Sequence, residues 1–315
     1  MSALLTTGEA MLVLRGSSPG ALAVGTHFTA SIAGAETTVA IGAARLGHSV
    51  SFAGRVGADD GGDLVRHVLA GEGVDVRHLK AEASARTGEM RRYQRVSATS
   101  VVTYHRRESA ASKATADDVV PAMHDDTRIF HVTGITPALS EQGAATVEAL
   151  IAMARARQVL VSYDINYRSR LTSVDAAARR LASVLPQVDI LFCGEDELHV
   201  LQAATGSSRP IHAAMAAGVD EVIIKRGADG ATCHIEGDNH HTSAVPIPLV
   251  DTVGAGDAFA AGYLSGVLDN LPIGQRLTRA AASAAFCIST VGDWEGQPRR
   301  HELDLLTLSQ GTAVR

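Results

Sequence analysis

Short runs rich in valine, isoleucine and leucine alternate along the chain with longer alanine-rich segments. Val159 to Ser162, Ile190 to Cys193 and Glu221 to Ile224 read as strands of a parallel sheet buried on both faces, where a strand has no need of a polar side. Between them, Glu141 to Arg155 and Val174 to Val184 read as helices. Ser140 and Ser173 stand where an N-cap would sit, each with a hydroxyl that can accept from the first turn. Strand and helix alternating at this spacing predict an α/β fold with a doubly wound, mostly parallel sheet and helices on both faces.

One region breaks the rhythm. Thr87 to Arg107 is extended, and Ser100 to Arg106 interleaves valine, tyrosine and arginine without a helical period before the loop-like stretch from Glu108 to Ser112. It predicts a small antiparallel lid standing off the main body, joined by a strand near Ala10 to Leu14. The lid strands are thus inserted at about residues 9–15 and 87–107. No Pro/Gly/Ser linker, low-complexity tract or internal repeat divides the rest, so residues 1–315 read as a single domain.

Composition narrows the partners. With 46% hydrophobic and 20% charged residues, the chain has the make-up of a soluble globular protein. A net charge of −6 argues against nucleic acid or an anionic membrane surface as the main partner. A few local arginines can still hold an anionic small molecule inside an acidic protein. Cys193, Cys233 and Cys287 show no paired spacing and read as buried apolar thiols. Met1 to Thr6 lacks the basic start and apolar stretch of a secretory signal, and no apolar run approaches the roughly 20 residues that span a bilayer. A cytoplasmic location is expected.

The chemistry concentrates in Asp251-Thr252-Val253-Gly254-Ala255-Gly256-Asp257-Ala258-Phe259, between an extended run, Ala244 to Val250, and a helical segment, Ala258 to Leu268. Two glycines around a small residue allow unusual backbone angles and close approach by a ligand. At a helix start the unpaired amides and the dipole attract an anion, and phosphoryl charge could be stabilised there. Asp257 is placed beside that site, where a carboxylate can take a proton from an attacking hydroxyl. Alone, the same residues also describe a plain turn with Asp257 as a helix cap. No Gly-Lys-Ser/Thr follows, which separates the stretch from a Walker A loop.

With its companions the stretch resembles the C-terminal signature of the ribokinase/PfkB carbohydrate kinases. Ala33-Gly34-Ala35-Glu36, Ala40 to Gly47 and Gly54-Arg55-Val56-Gly57-Ala58-Asp59 resemble the N-terminal signature, and Lys225-Arg226-Gly227-Ala228-Asp229-Gly230 resembles the turn beside the nucleotide. The resemblance implies ATP and Mg2+ as cofactors, with a monovalent cation as a further candidate. It implies that Asp257 is the catalytic base and that Gly254, Ala255 and Gly256 build the anion hole. Lys225, Gly227, Gly230, Gly254 and Gly256 would line the nucleotide. Glu197 would reach magnesium indirectly, although Gly194 replaces the asparagine of the family's acidic motif. Read without the family, Glu197 is equally a first-turn helix carboxylate. Thr38 likewise stands where the family usually has asparagine.

Within the family the chain is most similar to 2-keto-3-deoxygluconate kinases. His131 to Ser140, Asp164-Ile165-Asn166-Tyr167-Arg168, Tyr104-His105-Arg106 and Gly292-Asp293-Trp294-Glu295-Gly296 carry that similarity. It implies a keto sugar acid phosphorylated on its terminal hydroxyl, held by Gly34, Met90, Tyr104, Arg106, Ile135, Arg168, Asp257 and Asp293. Arginine's fork suits a carboxylate, so Arg106 from the lid and Arg168 from a strand end could converge on the acid. Each arginine has a second reading as a solvated surface charge. Met90 replaces a tyrosine common in these relatives, and strand alternation would turn Met90 inward and Glu89 outward. The rivals are a fructokinase or another neutral-sugar kinase and, outside catalysis, a sugar sensor. His240-His241 on one strand would face opposite ways, against a metal site, and Trp294 would pack by the sugar or fill a loop. An exposed small sheet with apolar residues such as Val101 and Val102 would leave one face uncovered, which predicts a homodimer or higher homo-oligomer.

Overall fold

The structure is a computed structural model that describes residues 2–18, 20–96 and 99–307. Met1 of the expected unprocessed start, Ser97 and Ala98 of the expected lid, and the last eight positions of the expected domain, 308–315, lie outside the described residues. In chain order the strands are β1 (Leu4–Thr7), β2 (Met11–Gly16), β3 (Phe28–Ala33), β4 (Val50–Gly57), β5 (Val74–Asp75), β6 (Leu79–Glu82) and β7 (Gly88–Val96). They continue with β8 (Thr99–His105), β9 (Ile129–Thr133), β10 (Leu160–Asp164), β11 (Ile190–Gly194), β12 (Glu221–Lys225), β13 (Ala231–Ile235) and β14 (Asp238–Thr242).

Ten strands form the main sheet in the order β14-β13-β12-β11-β10-β9-β1-β4-β5, with β6 beside β4. It is parallel from β12 through β4 to β5 and β6, and antiparallel only at the β12-β13-β14 edge. The apolar runs are continuous because successive residues serve different cores. Phe192 packs with Phe52 and Tyr263 on one face, while its neighbours Leu191 and Cys193 pack with Phe130 and Tyr163 on the other.

The three strands and two helices read from the main alternation are present, each within a residue or two of the positions read from the pattern. Ser140 Oγ accepts from Gly143 N at 2.9 Å and Ser173 Oγ from Ala176 N at 3.3 Å, so both serines cap their helices. The helix after the glycine-rich turn, Ala255–Leu268, begins three residues earlier than expected and is buried on nearly every side. Ala244 to Val250, read as an extended run, pairs with no strand of either sheet. Cys193, Cys233 and Cys287 are buried free thiols.

The lid is a separate four-stranded sheet in the order β3-β2-β7-β8. Its outer pairs are antiparallel as expected, but the central β2–β7 pairing is parallel, and β3 is a strand that the pattern did not reveal. Met11, Val13, Ala33 and Met90 form its small apolar core, with Val102 against it. Met90 therefore faces inward, and Glu89 faces away, paired with Arg91 at 3.3 Å. Among the described residues, no helix is long and apolar enough to cross a membrane.

Candidate active site

Parallel strands deliver their C-terminal ends to one edge of the sheet, and β9 to β12 bring Thr133, Asp164, Gly194 and Lys225 there. The start of helix Ala255–Leu268 approaches the same edge. Gly254 caps it in the left-handed region at φ 75°, and a side chain there would collide with the carbonyl oxygen of Asp293. Only glycine satisfies both demands. The amides of the following first turn have no acceptor within the helix, which leaves an electropositive cradle.

Lys225 closes that cradle. Its Nζ lies 3.5 Å from where a Cβ on Gly256 would stand, and it donates to Asp164 Oδ2 at 2.6 Å. The other Asp164 oxygen is buried with no hydrogen-bond partner among the described residues. Asp257, half-buried in the first turn, has its carboxyl pushed up to about 6. Burial is the main cause and the Asp164 charge adds to it, while Lys225, Arg168 and a 3.3 Å hydrogen bond from Asn166 Nδ2 pull the other way. A carboxylate poised this close to neutrality suits a proton acceptor.

The loop after β10 supplies Asn166, whose φ of 40° turns it into the site, and then Arg168. Arg168 is exposed, and among the described residues no carboxylate lies within ion-pair distance of it. Ile135 and Arg168 meet on one small pocket with Gly134, Tyr163 and Tyr167. Asp293, whose carbonyl faces Gly254, has its carboxyl raised to about 7, by burial first and then by Glu295, with Arg92 opposing. Lys225, Arg168 and Asp293 thus each lie close enough to Asp257 for their charges to act on one another.

Other expected residues sit differently. Arg106 is not a solvated charge: it forms an ion pair with the buried Glu9, whose Oε1 also accepts from Ser109 Oγ at 2.6 Å. Its guanidinium carbon stands 5.3 Å from the Tyr104 ring centre. Gly34 packs directly on the Glu9 carbonyl, so the base of the lid, Gly34 and Arg106 are contiguous. Glu197 spans two loops, accepting from Tyr167 N at 2.6 Å and Gly194 N at 2.7 Å, and burial followed by the Asp164 charge raises its carboxyl. That bond from Gly194 is made by the backbone and needs no side chain at position 194. Gly230 shapes the β12–β13 turn, pressed on the Thr242 carbonyl, whereas Gly227 opens onto free space. Thr38 is buried, and its hydroxyl has no hydrogen-bond partner among the described residues. Trp294 packs against the edge of the core, 5.2 Å from the Arg45 guanidinium, and so fills the loop. His240 and His241 are consecutive on β14, and no metal-binding group of three exists among the described residues.

Asp164, Asn166 and Glu36 were not singled out from sequence. Glu36 is buried, accepts from Thr133 Oγ1 at 2.8 Å and Thr136 Oγ1 at 3.0 Å, and has its carboxyl raised to about 7, chiefly by burial. The signals for Asp164 and Asn166 were their place at a strand's C-terminal end and in a segment that carries the family resemblance, neither of which gave them a role.

The pfkB family carbohydrate kinase model matches residues 1–300. The chain is a member of the PfkB family of carbohydrate kinases. This PfkB kinase is 31% identical to the 2-dehydro-3-deoxygluconokinase of Thermoproteus tenax over 310 residues, 97% of the chain and 94% of the relative. It is 32% identical to the 2-dehydro-3-deoxygluconokinase of Bacillus subtilis, over 98% of the chain and 96% of the relative. Fructokinases also match, over less of the chain. A solved structure of a ribokinase II from E. coli in complex with ATP and Mg2+ superposes with a TM-score of 0.88 at 25% identity, covering 98% of this chain and 99% of that one. The ribokinase-like fold and the sugar-kinase class follow together.

Proposed function

We propose that this PfkB kinase transfers the γ-phosphoryl group of ATP to the terminal hydroxyl of a keto sugar acid, converting 2-keto-3-deoxygluconate to its 6-phosphate. Asp257 takes the hydroxyl proton as the oxygen attacks phosphorus, the new O–P bond forms, and the bond to the ADP oxygen breaks. The amides of Ala255, Gly256 and Asp257, opened by Gly254, carry the charge that gathers on the transferring oxygens, with Lys225 beside them. ATP would lie along Lys225, Gly227, Gly230, Gly254 and Gly256. Magnesium, when bound, shields the phosphate charge; the orphaned Asp164 Oδ1 and the Glu197 carboxylate fit its bound waters.

The observation that carries the substrate reading is Arg168, an exposed guanidinium without a partner carboxylate among the described residues, near enough to Asp257 to lower its carboxyl. A neutral sugar would leave that cation without a task. Arg106 is already neutralised by Glu9, which makes its part the support of Tyr104 and of the lid base beside Gly34, with Met90 in the lid core and Ile135 beside Arg168. The relatives named for 2-dehydro-3-deoxygluconate support the same choice.

A panel of 2-keto-3-deoxygluconate, its galactonate epimer and fructose tests it. With Arg168→Ala, kcat/KM for the sugar acids should drop by about 100-fold, as for loss of a charge-assisted pair, while turnover of fructose stays within threefold. Fructose as the best substrate, insensitive to Arg168→Ala, would show a neutral-sugar kinase instead. Absence of ATP consumption with every sugar would favour a sensor.

A further inference from the structure

On one face of the lid, β2 and β7 place Arg15 directly opposite Arg92. Like charges paired across strands repel, so the arrangement needs acceptors outside the lid. Both arginines find them on the segments that support the glycine-rich turn. Arg92 Nη2 donates to Asp251 Oδ1 at 2.7 Å. Arg15 Nη1 donates to the Val291 carbonyl at 3.3 Å and lies 3.6 Å from Glu295, which also accepts from Ser31 Oγ of β3 at 2.8 Å.

Asp251 is the centre of this contact. It is buried, and its carboxylate also accepts from Val253 N and Gly292 N, each at 3.2 Å. Val253 precedes Gly254, and Gly292 precedes Asp293, whose carbonyl presses on Gly254. One carboxylate therefore joins both strands of chain that shape the anion cradle, and its counter-charge comes from the lid rather than from the main sheet.

We infer that Arg92 is a positioning residue that makes the cradle conditional on the lid. With the lid down, its guanidinium fixes Asp251, and Asp251 fixes the turn through Val253 and Gly292. A raised lid withdraws that charge and leaves a buried carboxylate uncompensated, so the turn relaxes. Phosphoryl transfer is thereby confined to the closed state, which limits loss of the phosphoryl group to water.

The test uses whichever sugar in the panel above turns over fastest, so a wrong substrate assignment leaves it intact. Arg92→Met should lower kcat at saturating ATP and sugar by at least about 30-fold with sugar KM within threefold, because the lid's sugar-facing residues are unchanged. Arg92→Lys should restore kcat to within about fivefold. Combining Arg92→Met with Asp251→Asn should lower kcat no further than the worse single change, since both break one link. If Arg92→Met is insoluble, Asp251→Asn and Arg92→Lys give the same kcat-against-KM reading. A kcat within twofold of the parent, additive losses, or kcat and KM moving together would overturn the inference.

Discussion

Asp257 has a measurable signature. Its carboxyl is raised to about 6, mainly by burial, from an ordinary value near 3.8. Below that point it is protonated and cannot accept a proton, so kcat/KM should fall about tenfold per pH unit below 6 and level off above it. The Arg168 charge opposes the rise, so Arg168→Ala should move this acidic limb to higher pH, which a pH–rate profile reads directly. Asp257→Asn should lower kcat by about 10²–10⁴-fold with ATP affinity retained by calorimetry. Asp257 was legible because a glycine-flanked carboxylate at a helix start joins two functions in adjacent residues. Asn166 and Arg92 were not. Asn166 acts through a left-handed backbone angle, and Arg92 acts on a residue 159 positions away. Neither role leaves a local pattern, although Asn166 stands in a segment that carries the family resemblance. The reading of Arg106 as a solvated surface charge failed because its partner, Glu9, is distant in sequence and met only after folding.

Between residues and the whole, the glycine-rich turn is the least replaceable element. Gly254→Ala would force alanine to φ 75° and drive its methyl into the Asp293 carbonyl. A left-handed alanine alone costs roughly 1–2 kcal/mol, so Tm should fall by about 5 °C or more, with kcat reduced at least tenfold. Scanning calorimetry beside a steady-state assay checks both. The parallel strands were legible for a related reason: residues such as Leu191 and Phe192 must all be apolar when cores lie on both sides. The lid was legible only as something extended. Its third strand, β3, and its parallel β2–β7 joint depend on pairings across 70 residues or more for the latter, and half-buried strands carry a weak apolar signal.

At the level of the molecule, the lid projects from the main sheet with one face on the C-terminal segment. Its other face carries Leu14, Tyr93 and Val101, all half-buried. We propose that two lids pair across a two-fold axis and cover that face, so light scattering at micromolar concentration should return twice the mass of one chain. A single-chain mass that persists up to 100 μM would count against it, an upper bound of about the range where weak dimers assemble.

The order of the main sheet has a consequence for what the site can accept. Thr133, Asp164, Gly194 and Lys225 end four neighbouring parallel strands, each about 4.8 Å from the next. The sheet edge is therefore a ruler with fixed graduations, running from Glu36 and Thr133 at one end to Lys225 at the other. No side-chain change can stretch it, because the intervals are backbone hydrogen bonds. A longer or shorter acceptor must be fitted by the lid and the loop carrying Arg168, and diversification of substrate is channelled into those two parts while the scale itself stays put.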